Sequence, residues 1–289
     1  MIFSSGSNSA PHYGQGEALS EPPSDTPGAK HSRGEQEACA NPNEEADRGE
    51  QTERTRLLWG AESVQALRRA HLLVVGVGGV GGEATLALAR AGVGAFTLVD
   101  GDAVSPSNLN RQAVAFAQTV GSPKTEVMKQ LILQVNPAAR VETIYRFITP
   151  EEIPALLAAH PYAFVLDAID TLTPKCVLLA EAQRLGLPVI SSMGAGAKDN
   201  PEAVRVAPLS ASHSCALAKA VRKRLREMQA PITFPCVFST QPAIPQAVHT
   251  LPEVQQGKRT VVGTVSYMPA LFGLRMAAYV LQTLTQPYR

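Results

Sequence analysis

Residues 76–82 read GVGGVGG, and Gly76, Gly78 and Gly81 within them match the spacing GxGxxG. In that spacing the first glycine allows a tight turn, the second lets backbone approach a phosphate, and the third lets a helix pack closely on a strand. The apolar run 71–75 precedes the glycines and a helical pattern, 80–91, follows them. The loop would therefore open a helix whose first N–H groups face an anion. Asp100 ends the next apolar run, about 20 residues on, where a carboxylate can hold a ribose hydroxyl. The bland alternative is a merely tight turn. Strand, loop, helix, strand and acid in register favour a nucleotide, with NAD and ATP both open at this point.

A second block separates those two. In VDGDAVSPSNLNRQ (99–112), Asn108 and Arg111 lie just beyond the ribose acid, and Lys124 follows Arg111 by 13 residues. Hydride transfer needs no such cluster. A triphosphate under attack does, because negative charge must be held while it moves to a leaving pyrophosphate. DAIDTLTPK (167–175) then puts Asp167 and Asp170 at the end of a further apolar run. Doubly wound sheets bind ligands at that edge, and a carboxylate there can hold Mg²⁺. Taken singly, Asp170 could be a helix cap, and Arg111 and Lys124 surface ion-pair partners.

Two further features bear on chemistry. Lys219, Arg222, Lys223 and Arg226 recur at i, i+3, i+4 and i+7 in the helical pattern 215–229, opposite an apolar stripe of Leu217, Val221, Leu225 and Met228. Such a face is either solvated or holds the phosphates of an RNA, in which case binding falls steeply with salt. Cys39, Cys176, Cys215 and Cys236 form no CxxC pair, which argues against a structural zinc site and a disulfide framework. Cys236, in a Pro-rich stretch, stands equally as a reactive thiol and as a structural residue.

These residues need a scaffold, and the texture of the chain supplies one. Of 289 residues, 45% are apolar and 18% charged, as in ordinary soluble domains. Residues 1–53 carry three Lys/Arg against ten Asp/Glu and almost no branched aliphatics, which predicts a disordered acidic tail of net charge −7 before a body of +8. A basic body suits a polyanionic partner. Beyond the tail, 57–70 reads as a short helix; 71–75, 95–99, 140–145, 163–167 and 187–191 as strands; and 80–91, 123–135 and 171–185 as helices. The alternation predicts an α/β fold, a Rossmann-like doubly wound and mostly parallel sheet over 54–289, with a C-terminal α/β extension. That extension holds the helix 215–229, an irregular stretch at 230–262 and a closing helix at 266–284. The start lacks a signal-peptide pattern, and the best membrane candidate, 265–284, contains Arg275 and Gln282, so a cytoplasmic protein without a membrane partner is expected.

GxGGxG, DxDxVxxSNLNRQ, the lysine 13 residues on and DxxD together resemble the ubiquitin-activating-enzyme-like adenylyltransferases, over roughly residues 54–285. Within that family, GSPKTEVM, ITPEEIPALL, VLDAIDTLTPK and PCVFSTQ look like the subgroup that dehydrates threonylcarbamoyladenosine in tRNA. The resemblance implies ATP binding by Gly76, Gly78, Gly79, Gly81, Asp100, Asp102, Asn108, Arg111, Gln112 and Lys124. It implies Mg²⁺ held by Asp170, with Arg111, Lys124, Asp170 and Cys236 as catalytic candidates. A homodimer and a tRNA partner follow, with a cysteine desulfurase or sulfur-acceptor protein as a further partner. Alternatives are activation of a ubiquitin-like or sulfur-carrier protein, an NAD-dependent oxidoreductase, and a nucleotide-binding scaffold. Missing zinc cysteines and the basic helix argue against the first, SNLNRQ with Lys124 against the second, and the full phosphate set against the third. Two departures stand out. No single residue among Arg48, Arg54 and Arg56 is marked as the arginine that would reach a partner's ATP site, and Gln241 stands where an acid is expected.

Overall fold

The computed structural model describes residues 50–255 and 258–288, with the backbone alone for 251–259. Cys39, Arg48 and the expected acidic tail, apart from its last four residues, lie outside the described residues.

The chain begins with α1 (Glu53–Trp59) and α2 (Ala61–Arg69). The single helix expected over 57–70 is broken at Gly60, whose φ of +84° suits glycine and stops the helix. Next come β1 (His71–Val75), α3 (Gly81–Arg90), β2 (Ala95–Val99), α4 (Lys124–Val135) and β3 (Arg140–Ile144). Then α5 (Ile153–Ala158), β4 (Phe164–Asp167), α6 (Leu172–Arg184), β5 (Val189–Ser192), β6 (Val204–Pro208), α7 (Ala216–Glu227) and β7 (Pro235–Ser239) follow. A hairpin of β8 (Val248–Gln255) and β9 (Lys258–Val262) leads into α8 (Tyr267–Thr285).

The main sheet runs β3-β2-β1-β4-β5-β7-β6 and is parallel except for β6, which pairs antiparallel with β7. The chain travels outward from β1 to β3 and returns to place β4 beside β1, so the order reverses between the carboxyl ends of β1 and β4. Loops diverge there and leave a crevice. The expected doubly wound α/β sheet is present. The stretch 230–262, expected to be irregular, contains β7 and the hairpin. Both β6 and α5 escaped the sequence reading because each is short and lacks a clean period.

Alternation of side chains explains why β1 reads as an unbroken apolar run. Leu72 and Val74 enter one core with Leu88, Phe96, Met128 and Phe272; Leu73 and Val75 enter the other with Ile153, Leu178, Val221 and Leu225. Each such side chain, fully buried, stabilises the fold by roughly 1.5–3 kcal/mol. In α8, Met268, Phe272, Met276 and Val280 are buried at four-residue intervals while Arg275 is exposed. This is a core helix, and among the described residues no helix is long and apolar enough to cross a membrane.

Candidate active site

The glycine loop sits at the carboxyl end of β1, inside the crevice. Gly76 has φ +94°, and a Cβ there would lie 2.7 Å from the Ala168 carbonyl oxygen; one on Gly81 would lie 1.8 Å from the Gly76 oxygen. These two positions tolerate no side chain. Gly78 differs, since the nearest atom to a Cβ there is Gln112 Nε2 at 3.9 Å, so its backbone faces open space. No side chain caps α3, and within its first turn the Gly82 N–H already donates to the Gly78 carbonyl at 2.9 Å.

Asp100 braces this loop. Its Oδ2 accepts the Val77 N–H at 2.7 Å and its Oδ1 the Asp102 N–H at 2.8 Å. Burial pushes its carboxyl above the ordinary range, against the pull of Lys124 and the two amides. Two oxygens already holding backbone amides keep further lone pairs, so a ribose hydroxyl can still bind.

The cations are more committed than spacing suggested. Lys124, the first residue of α4, is buried and bonds Asp102 Oδ2 at 2.7 Å, while the Asp102 side chain is 47% exposed. Asp102 is therefore the counter-ion of Lys124. Arg111 donates to the Ser107 carbonyl and to Asn110 Oδ1, both at 2.7 Å, and burial lowers its pKa. Buried Asn108 accepts the Ser105 N–H at 3.1 Å and holds the turn that presents Arg111. Gln112 places its Nε2 nearest the open glycine, while its Oε1 is buried without a hydrogen-bond partner.

At the end of β4 the two acids separate. Asp167, 0% exposed, accepts Lys175 Nζ at 2.7 Å, Ser191 Oγ at 2.6 Å and the Ile169 N–H at 3.1 Å. It is spent on structure, whereas Asp170 is exposed at the crevice. Among the described residues no group of three or more His, Cys, Asp or Glu is placed to cage a metal. One carboxylate plus substrate phosphates and water is how Mg²⁺ is commonly held, so the donor set fits that ion.

Two expectations are corrected. Cys236 lies inside β7, fully buried, and burial pushes its thiol up to about 12, so no reactive thiolate forms there at neutral pH. The four-cation face loses Arg222, half-buried and bonded to the Ser212 carbonyl at 2.7 Å and to Ser212 Oγ; Lys219, Lys223 and Arg226 are exposed. Gln241, standing where an acid is expected, is tied to the 199–200 turn. Its Oε1 accepts the Asp199 and Asn200 N–H groups at 3.1 and 3.0 Å while its Nε2 donates to Asp199 Oδ1 at 2.7 Å, a donation no carboxylate could make.

Sequence reading missed Lys175 and Ser191. A lysine on the apolar face of α6, beside Cys176, Leu178 and Leu179, was the available signal. Arg54 and Arg56 are both exposed on α1.

A Rossmann-like sheet with a phosphate-ready glycine loop, cations at the loop mouth and a carboxylate opposite defines a nucleotide-dependent enzyme of the adenylating class. The chain belongs to the ThiF family, whose model matches residues 52–288. It is 34% identical over 244 residues to the tRNA threonylcarbamoyladenosine dehydratase of Escherichia coli K12, covering 79% of this chain and 91% of that protein. It is 35% identical to the dehydratase of Bacillus subtilis 168, covering 81% and 94%. The crystal structure of the E. coli dehydratase in complex with ATP superposes with TM-score 0.74 at 32% identity, covering 83% of this chain and 95% of that one.

Proposed function

We propose that this protein uses ATP to dehydrate threonylcarbamoyladenosine in tRNA. The observation that carries the reading is the open backbone at Gly78, with Gln112 Nε2 its nearest neighbour, in a chain matched along about four-fifths of its length by dehydratases. The chemistry runs in two steps. The threonyl carboxylate attacks the α-phosphorus of ATP and pyrophosphate leaves. The ureido nitrogen of the same modification then attacks the activated carbonyl, loses its proton, and AMP leaves as a five-membered ring closes. The nucleophile is internal, so proximity replaces a catalytic thiol, in keeping with buried Cys236.

The residues divide the work. Gly76, Gly78, Gly79 and Gly81 shape the phosphate loop. Asp100 braces it and holds the ribose. Asn108 sets the turn of Arg111, which with Lys124 stabilises the charge that develops on the phosphates. Lys124 reaches them by exchanging Asp102 for phosphate, an exchange favoured by the hydration open to Asp102. Gln112 fills its vacant acceptor with a donor from a substrate. Asp170 would hold Mg²⁺, which when bound neutralises phosphate charge. Lys219, Lys223 and Arg226 contact tRNA phosphates. The enzyme works in the cytoplasm as a homodimer, with Arg48, Arg54 or Arg56 reaching the second copy, and a sulfur-transfer protein is a further partner.

The test is to incubate the protein with Mg²⁺-ATP and tRNA bearing threonylcarbamoyladenosine, then weigh the digested nucleosides. Loss of one water with release of AMP is expected. No mass change, with ATP–pyrophosphate exchange that requires a carrier protein, would overturn the reading in favour of carrier activation.

A further inference from the structure

Among the described residues the buried lysines are Lys124, Lys175 and Lys198. Lys175 is the one whose surroundings exceed any packing need. Its ammonium has three N–H donors, and three acceptors meet them: Asp167 Oδ2 at 2.7 Å, the Ser192 carbonyl at 2.8 Å and the Ile169 carbonyl at 3.0 Å. Both side chains of the pair are 0% exposed. Well-packed apolar residues of similar volume would commonly serve stability as well or better, so stability alone is a poor reason for this pair.

What the pair holds suggests the reason. Lys175 ties the end of β5 to the segment after β4, and Asp167 grips the same segment from inside through the Ile169 N–H. The residue between them, Ala168, donates its N–H to the Val75 carbonyl at 2.8 Å. Its carbonyl oxygen stands 2.7 Å from where a Gly76 Cβ would be, and its Cβ 3.2 Å from where a Gly81 Cβ would be. The loop that ends in Asp170 is thus wedged under the glycine loop. A shift of a few tenths of an ångström in one must move the other.

We infer that the Asp167–Lys175 pair is a positioning device for nucleotide binding: it sets the Asp170 carboxylate and the glycine loop in register. This rests on the reading that Asp170 serves the metal-bound nucleotide. Supporting groups of this kind typically change metal affinity by about 10–100-fold when removed.

The experiment uses the full chain and measures Mg²⁺-ATP binding by calorimetry, together with the Mg²⁺ concentration for half-maximal ATP binding, at a temperature where circular dichroism shows each variant folded. The variants are Asp167→Leu with Lys175→Met, which keeps charge balanced, Asp170→Ala, and the triple combination. The double variant is expected to raise the half-saturating Mg²⁺ concentration about tenfold. The triple variant should need no more Mg²⁺ for half-saturation than Asp170→Ala, because residues acting through one another are not additive. A double variant with altered melting temperature but unchanged Mg²⁺ and ATP constants overturns the inference, as does a triple rise in the half-saturating Mg²⁺ concentration equal to the product of the two. If Asp170→Ala alone changes nothing, the metal reading of Asp170 fails instead; the pair then stands only if the double variant weakens ATP binding without Mg²⁺. Should the double variant not fold, Ser191→Ala removes one bond to Asp167 without touching charge. It should shift the Mg²⁺ constant in the same direction by about threefold, and no shift counts against the inference.

Discussion

Two lysine–aspartate pairs flank the same crevice at the same 2.7 Å separation and do different jobs. In the Lys124–Asp102 pair the carboxylate is about half exposed, so water screens the attraction and can solvate the acid once the lysine leaves. In the Lys175–Asp167 pair nothing is exposed, and neither partner can leave without stranding a buried charge. Distance is equal; surroundings decide. One pair can trade its partner for a phosphate during turnover, whereas the other can only hold the ends of strands.

The sharpest way to break that comparison is to remove one lysine from each pair. Lys175→Met should cost about 3–5 kcal/mol of folding stability, because Asp167 stays buried and uncompensated. Thermal unfolding checks this, and a loss within 1 kcal/mol would mean the two pairs are alike. Lys124→Met should leave stability within about 1 kcal/mol. Its turnover should nevertheless fall by roughly 10²–10³-fold, the usual consequence of losing a transition-state donor. Single-turnover AMP release measures that effect.

A smaller effect probes the buried side further. Cys236→Ser should lower stability by about 1–3 kcal/mol, since a hydroxyl replaces a thiol in a dry strand. AMP release per folded molecule should stay at the parent rate; a large loss would restore a chemical role for that position.

The smallest expected effect lies at the opposite end of the sheet. His71 Nε2 is 3.0 Å from Thr97 Oγ1, its ring packs on His160 and Tyr162, and burial with His160 and Arg140 lowers its pKa despite the opposing charge of Glu142. A depressed folded pKa means the unfolded chain binds the proton more readily. The stabilising contribution is present above the unfolded value, about 6.5, and is lost as pH falls through the folded one. Melting temperature should therefore drop on acidification through that window, and His71→Gln should flatten the drop. An unchanged slope would show that the imidazole is not the group responsible.

Much of the crevice was legible in the sequence because its signals are local. GVGGVGG fixes a turn by the absence of side chains within seven residues, and SNLNRQ brings Asn108, Arg111 and Gln112 together through one short turn. The partners were not legible, because they arrive from elsewhere along the chain. Lys124 finds Asp102 across 22 residues, Lys175 finds the Ser192 carbonyl across 17, and Gln241 finds Asp199 across 42. Cys236 misled for the same reason: prolines nearby suggested a loop, and only pairing with Ser191 on one side and Ala207 on the other makes that segment a strand.

The sequence by itself determined the order of strand and helix units, the phosphate loop and the family, since glycine spacing, apolar runs and short polar motifs act between near neighbours. Tertiary structure alone decided which charges are spent and which stay available. Burial sets the cost of an unpaired charge, and burial belongs to the packed sheet and its helices rather than to any residue type.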